Sequence, residues 1–72
     1  MTQDEFFKKL QDILDTEDDV SAETVLDSLD EWDSLSKMAV AAFLNSTFGV
    51  TLSFEDFKAV RTAGDLAAKI GL

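Results

Sequence analysis

Residues 33–50 read DSLSKMAVAAFLNSTFGV, and how this stretch folds decides the architecture. Asp33 is a good helix cap, and Gly49 supplies the residue at which a helix most readily stops. A helix over Ser34–Phe48 is therefore predicted, the longest in the chain. On its wheel Val40, Phe43, Leu44 and Phe48 form one apolar face, as a core-facing helix requires. Leu35, Met38 and Ala42, with Ala39 beside them, form a second apolar strip. One helix of a small domain can hardly bury both faces. Either the second strip packs under the preceding segment or it stands open for a partner, and composition alone favours burial.

Outward from this helix, three stretches open with the same start signal, a hydroxyl residue followed three positions later by an acid. Thr2 with Glu5 opens a first helix whose Phe6, Phe7, Leu10, Ile13 and Leu14 share a face. Ser53 with Asp56 opens a short helix carrying Phe54, Phe57 and Val60. Thr62 with Asp65 opens the last one, with Leu66 and Ile70 four apart and Gly71 as its stop. Between the first helix and the long one lies an acidic connection, Thr16 to Trp32, of a length that is usually functional or partly ordered. Val20, Val25, Leu26, Leu29 and Trp32 are expected to pin it to the core. The predicted fold class is all-α: a small four-helix bundle with three main helices, one short third helix and a long first loop.

The 72 residues allow one domain, 1–72. With neither Cys nor His, disulfides and the usual zinc sites are excluded, and no metal is expected. The core must come from six Phe, one Trp and the aliphatics. Fifteen acids against six bases give a net charge of −9, which argues against nucleic acid, whose phosphates need Lys and Arg. An acidic surface suits basic patches on other proteins instead. All the acids but Glu55, Asp56 and Asp65 lie at or before Asp33. No apolar run reaches membrane-spanning length, and the start lacks a signal peptide's basic and apolar regions. A cytoplasmic monomer is the expectation.

The triplet Asp-Ser-Leu occurs twice, at residues 27–29 and 33–35. Ser28 is followed by an acidic, loop-like run, so an anion on it would face Asp27, Asp30, Glu31 and Asp33. Ser34 falls in the first turn of a strong helix, where free N–H groups and the helix dipole favour an anion. A phosphate ester fits Ser34 better. The triplet by itself is equally consistent with an ordinary first-turn serine beside its cap.

Taken with its surroundings, the sequence resembles the acyl carrier protein family across nearly the whole chain. Asp33-Ser34-Leu35 begins the long helix, which ends in Phe48-Gly49-Val50 at the family's usual distance. VTLSFEDF, at 50–57, is similar to the loop into the family's short third helix, and Thr62-Ala-Gly-Asp65-Leu66 to the opening of its last helix. The resemblance implies that Ser34 receives 4′-phosphopantetheine from coenzyme A, through a phosphopantetheinyl transferase and Mg²⁺ that Asp33 helps to position. It implies a carrier of acyl intermediates, held as thioesters, for fatty-acid, polyketide or related specialised biosynthesis. Its partners would be the transferase, an acyl-loading ligase or synthase, and acyl-transferring enzymes. Leu35, Met38 and Ala42 then become partner-facing, with charge supplied by Asp30, Glu31 and Asp33. No nucleophile with its base suggests catalysis, so the protein is not expected to be an enzyme.

The sequence departs from many fatty-acid carriers. Glu31 stands where they have a glycine, Trp32 precedes the triplet, Ala39, Asn45 and Ser46 replace acids, and Ser53 replaces a proline. A Trp-Asp-Ser-Leu form is similar to carriers of specialised pathways, including aminoacyl and D-alanyl types. The alternative from another class is an unmodified acidic interaction module, which leaves the coincidence of the four spaced features to chance. A Ca²⁺ loop beginning at Asp15 fails at its sixth position, Val20, and its twelfth, Leu26. The small residues Ala39, Ala41 and Ala42 raise the question of an acyl chain between the long and third helices, with close packing as the expectation.

Overall fold

The computed structural model describes residues 1–72. Four helices follow in order: α1 (Gln3–Leu14), α2 (Ser34–Phe48), α3 (Phe54–Ala59) and α4 (Ala63–Lys69), with a single 3₁₀ turn at Leu26–Ser28 in the long first loop. There is no sheet, only an isolated antiparallel bridge between Val25 and Thr62. The all-α bundle expected from the sequence is what forms. No helix is long and apolar enough to cross a membrane.

Each helix begins with a reciprocal capping box. The Glu5 amide donates to Thr2 Oγ1 at 3.2 Å, and the Thr2 amide donates to Glu5 Oε1 at 2.9 Å. Ser53 with Asp56 and Thr62 with Asp65 repeat the arrangement, so all three predicted starts are real. At α2 the residue types are reversed. Asp33 Oδ1 accepts from the Ser36 amide at 2.9 Å, and the Asp33 amide donates to Ser36 Oγ at 2.9 Å. The N–H groups donated to them hold the carboxyls of Glu5, Asp56 and Asp65 below their ordinary values, chiefly through the backbone of Thr2, Ser53 and Thr62.

Helix ends follow the glycines. Gly49 takes φ 68°, and its amide reaches the Asn45 carbonyl at 2.9 Å, closing α2 with a left-handed cap. At Gly71, φ 82°, the Leu72 amide reaches back to Ala67 and the Gly71 amide to Ala68, the paired bonds of a Schellman motif. This turn leaves α4 with seven residues, barely longer than the six of α3. The bundle therefore has two long and two short helices rather than three main ones, and Ile70 sits in the cap.

The core gathers Phe6, Phe7, Leu10 and Leu14 of α1, Val40 and Leu44 of α2, Phe57 of α3, and Ala63, Leu66 and Ala67 of α4. Phe6 lies at its centre, stacked on Phe43 at 6.2 Å and edge-on to Phe48 at 6.2 Å. Phe43, Phe48 and Ile13 are partly buried against this cluster. Leu26, Leu29 and Trp32 of the loop are fully part of it, while Val20 is half-buried at its edge.

Side chains alone do not hold the loop. The Leu26 amide donates to the Arg61 carbonyl at 3.0 Å, the Ala63 amide to Thr24 at 2.9 Å and the Gly64 amide to Ala22 at 2.9 Å. This short backbone ladder ties residues 22–26 to the start of α4. It depends on a close approach at Gly64, where a Cβ would stand 2.7 Å from the Ala22 carbonyl oxygen.

Gly64→Ala should accordingly destabilise the fold by about 1–3 kcal/mol despite alanine's better helix propensity, because backbone has to shift. A urea midpoint equal to the wild type would show that the ladder yields freely. A second test concerns the caps. Carboxyls with lowered folded values stabilise above their ordinary values, and that stability is lost as pH falls through the lowered ones. The triple variant Glu5→Gln, Asp56→Asn, Asp65→Asn should melt below the wild type near neutral pH. The gap should close on acidification, as followed by circular dichroism; a gap independent of pH would contradict the assignment.

Candidate functional site

The two Asp-Ser-Leu triplets end up in different settings. Ser28 closes the 3₁₀ turn, and its hydroxyl donates to the Val25 carbonyl at 2.6 Å. That hydroxyl is occupied within its own turn. Ser34 is the first residue of α2 and is exposed, and its Oγ makes no hydrogen bond within the protein. In the first turn the Ser36 amide goes to Asp33 Oδ1 and the Lys37 amide to the Asp33 carbonyl at 2.9 Å. The amides of Ser34 and Leu35 keep no protein partner. Two N–H groups at the positive end of a 15-residue helix thus stand beside a free hydroxyl.

Asp33 is exposed, with Oδ1 committed to the cap and Oδ2 without a hydrogen bond. Asp30 is exposed and Glu31 half-buried in the turn just before it. Trp32, between these acids and the serine, points the other way. It is buried, with its ring edge-on to Phe57 at 6.0 Å, and the Lys37 ammonium lies 5.6 Å from its ring centre. The buried indole fixes the backbone immediately before Asp33 and Ser34 to the core.

The second apolar strip of α2 is open. Leu35 and Met38 are 78% and 65% exposed, and Ala39 and Ala42 are exposed with them. Packing under the loop, the outcome composition favoured, does not occur, because the loop is drawn toward α4 by its backbone ladder. Phe54, which α3 carries with Phe57, is also 68% exposed. Leu52 and Phe57 occupy the two positions of a hydrophobic staple around the Ser53 cap, which leaves Phe54 outside. That staple spacing was the signal available in the sequence.

Met38 and Phe54 border a surface pocket of about 130 Å³ between α2 and α3, completed by Lys37, Ala41, Leu52 and Phe57. Of the three alanines singled out for possible cargo space, only Ala41 lines it. Ala39 faces a separate groove with Ile13, Leu14 and Leu35. The α2–α3 pocket is well below the ~300 Å³ at which small-molecule sites begin, in keeping with a closely packed core.

A family model for the phosphopantetheine attachment site matches residues 4–70. The chain belongs to that family, and its prosthetic group is 4′-phosphopantetheine. Among solved structures, the holo acyl carrier protein from Geobacter metallireducens, determined by solution NMR, superimposes with a TM-score of 0.76. It shares 24% identity over 96% of this chain and 80% of its own, so the fold is that of an acyl carrier protein. A comparison with curated proteins finds no match. The start of α2 fits the group: an exposed hydroxyl without a partner and two open amides for a phosphate.

Proposed function

We propose that this carrier holds acyl groups for fatty-acid, polyketide or related specialised biosynthesis, with Ser34 as the attachment point. One contrast carries the choice of residue: the Ser34 hydroxyl is exposed and unpaired beside two open amides, whereas the Ser28 hydroxyl is bonded within its turn. In the loading step Ser34 Oγ displaces the nucleotide half of coenzyme A at phosphorus, forming a phosphodiester, and its proton passes to a base on the transferase. Asp33, through the oxygen its cap leaves open, helps to hold the transferase's Mg²⁺. The attached arm supplies the thiol that this Cys-free chain lacks, and through it an acyl thioester. The Ser34 and Leu35 amides stabilise the anionic ester. The protein itself catalyses nothing; loading and unloading belong to its partners.

Leu35, Met38 and Ala42 form the surface that those partners grip, with Asp30, Glu31 and Asp33 as an acidic rim at one end. Between Ser34 and Phe54 there is no acid, so the middle of the contact is apolar. Such an interface is held by burial and steered by charge at its edge.

Incubation with coenzyme A, Mg²⁺ and a broad-specificity phosphopantetheinyl transferase should add the mass of one phosphopantetheine. Ser34→Ala should abolish the gain and Ser28→Ala should leave it. No gain by a folded chain, with a control carrier modified in parallel, would instead favour an unmodified interaction module. For the partner surface, Leu35→Ala with Met38→Ala should weaken binding to the transferase by about tenfold or more, the scale of two buried anchors. Raising salt should weaken it only modestly. A steep salt dependence, with the double variant unaffected, would place the contact on the acidic turn.

A further inference from the structure

Lys37 is the only cation between Lys9 and Lys58. It stands three residues after Ser34 in α2, so the two side chains are neighbours on one face. Its ammonium is folded back toward the helix start, over the indole of Trp32 at 5.6 Å. Asp30, Glu31 and Asp33 lie close in sequence, yet the lysine forms an ion pair with none of them; the one salt bridge in the chain joins Lys69 and Asp56. Lys37 also lines the α2–α3 pocket with Met38 and Ala41, residues that continue the same side of the helix. A cation that rests on an aromatic face rather than on a carboxylate is available to a stronger anionic partner.

We propose that Lys37 is the internal counter-ion of the phosphodiester on Ser34, reached by leaving the face of Trp32. This rests on Ser34 being the attachment point. A monoanionic ester at the first residue of α2 adds negative charge beside Asp30, Glu31 and Asp33 in a chain of net charge −9. The open amides of Ser34 and Leu35 offset part of that repulsion, and one turn along the helix Lys37 supplies the only full positive charge within α2. The lysine therefore draws the first bonds of the arm along α2 toward Met38 and Ala41, away from the acidic turn. The ammonium has two alternative partners, the indole before modification and the phosphate after it.

The test compares the full chain before and after modification, as wild type, Lys37→Gln and Lys37→Arg. Intact mass verifies attachment in each. The ε-methylene protons of Lys37 should show an upfield ring-current shift from Trp32, the only tryptophan, and lose it once Ser34 is modified. The ³¹P resonance of the phosphodiester should move in Lys37→Gln and return in Lys37→Arg. If mass is gained but the lysine protons keep their upfield shift, the lysine has not left the indole and the inference is wrong. It is equally wrong if the ³¹P resonance is the same in wild type and Lys37→Gln. Absence of any mass gain overturns the attachment reading itself, and the inference with it.

Discussion

The contact on which the site depends is a close backbone approach far from it in sequence, between Ala22 and Gly64. With Thr24, Leu26, Arg61 and Ala63 it forms a ladder that ties the acidic loop to the start of α4. A segment so rich in carboxylates repels itself and has little reason to collapse. The backbone bonds bring it into register, and Leu26, Leu29 and Trp32 are then buried at turns of the loop where the core has room. Because Trp32 is held there, the chain leaves the core at Asp33 and enters α2 with its first residue at the surface.

The same ladder explains why one face of α2 stays uncovered. The loop is long enough to have lain over Leu35 and Met38, but it is committed to α4. The core needs only Val40 and Leu44, with Phe43 and Phe48 closing around Phe6 of α1. Exposed Leu35, Met38 and Phe54 remain beside the free end of the helix. In a chain of 72 residues three large apolar side chains exposed together are a feature that a protein working alone has reason to avoid. A carrier that must be recognised by several enzymes has a use for it.

Charge is distributed to match. Twelve of the fifteen acids lie at or before Asp33, and the long helix carries a single charged residue, Lys37. The start of α2 is thus a boundary between an acidic loop and an apolar helix face. Ser34 sits on that boundary, where the helix dipole and two unpaired amides set a local preference for an anion against an acidic background.

Much of this was legible in the residues because helix signals are local. Thr2-Glu5, Ser53-Asp56 and Thr62-Asp65 announce their helices within four positions, and Asp33 with Gly49 bounds the longest one. The apolar spacing of α1 named its buried face, and the order of the motifs pointed to the family. Ser36 as the partner of Asp33 was hidden, since the box runs with acid and hydroxyl exchanged. What residue composition alone could not decide was whether the second apolar strip of α2, Leu35, Met38 and Ala42, would be covered or left open. That outcome depends on where the loop goes, and the loop is placed by backbone hydrogen bonds between residues some forty apart, 22–26 and 61–64. Every residue carries the same amide and carbonyl, so such pairing leaves almost no mark on residue type. Only the glycine at position 64, where a side chain has no room, records it.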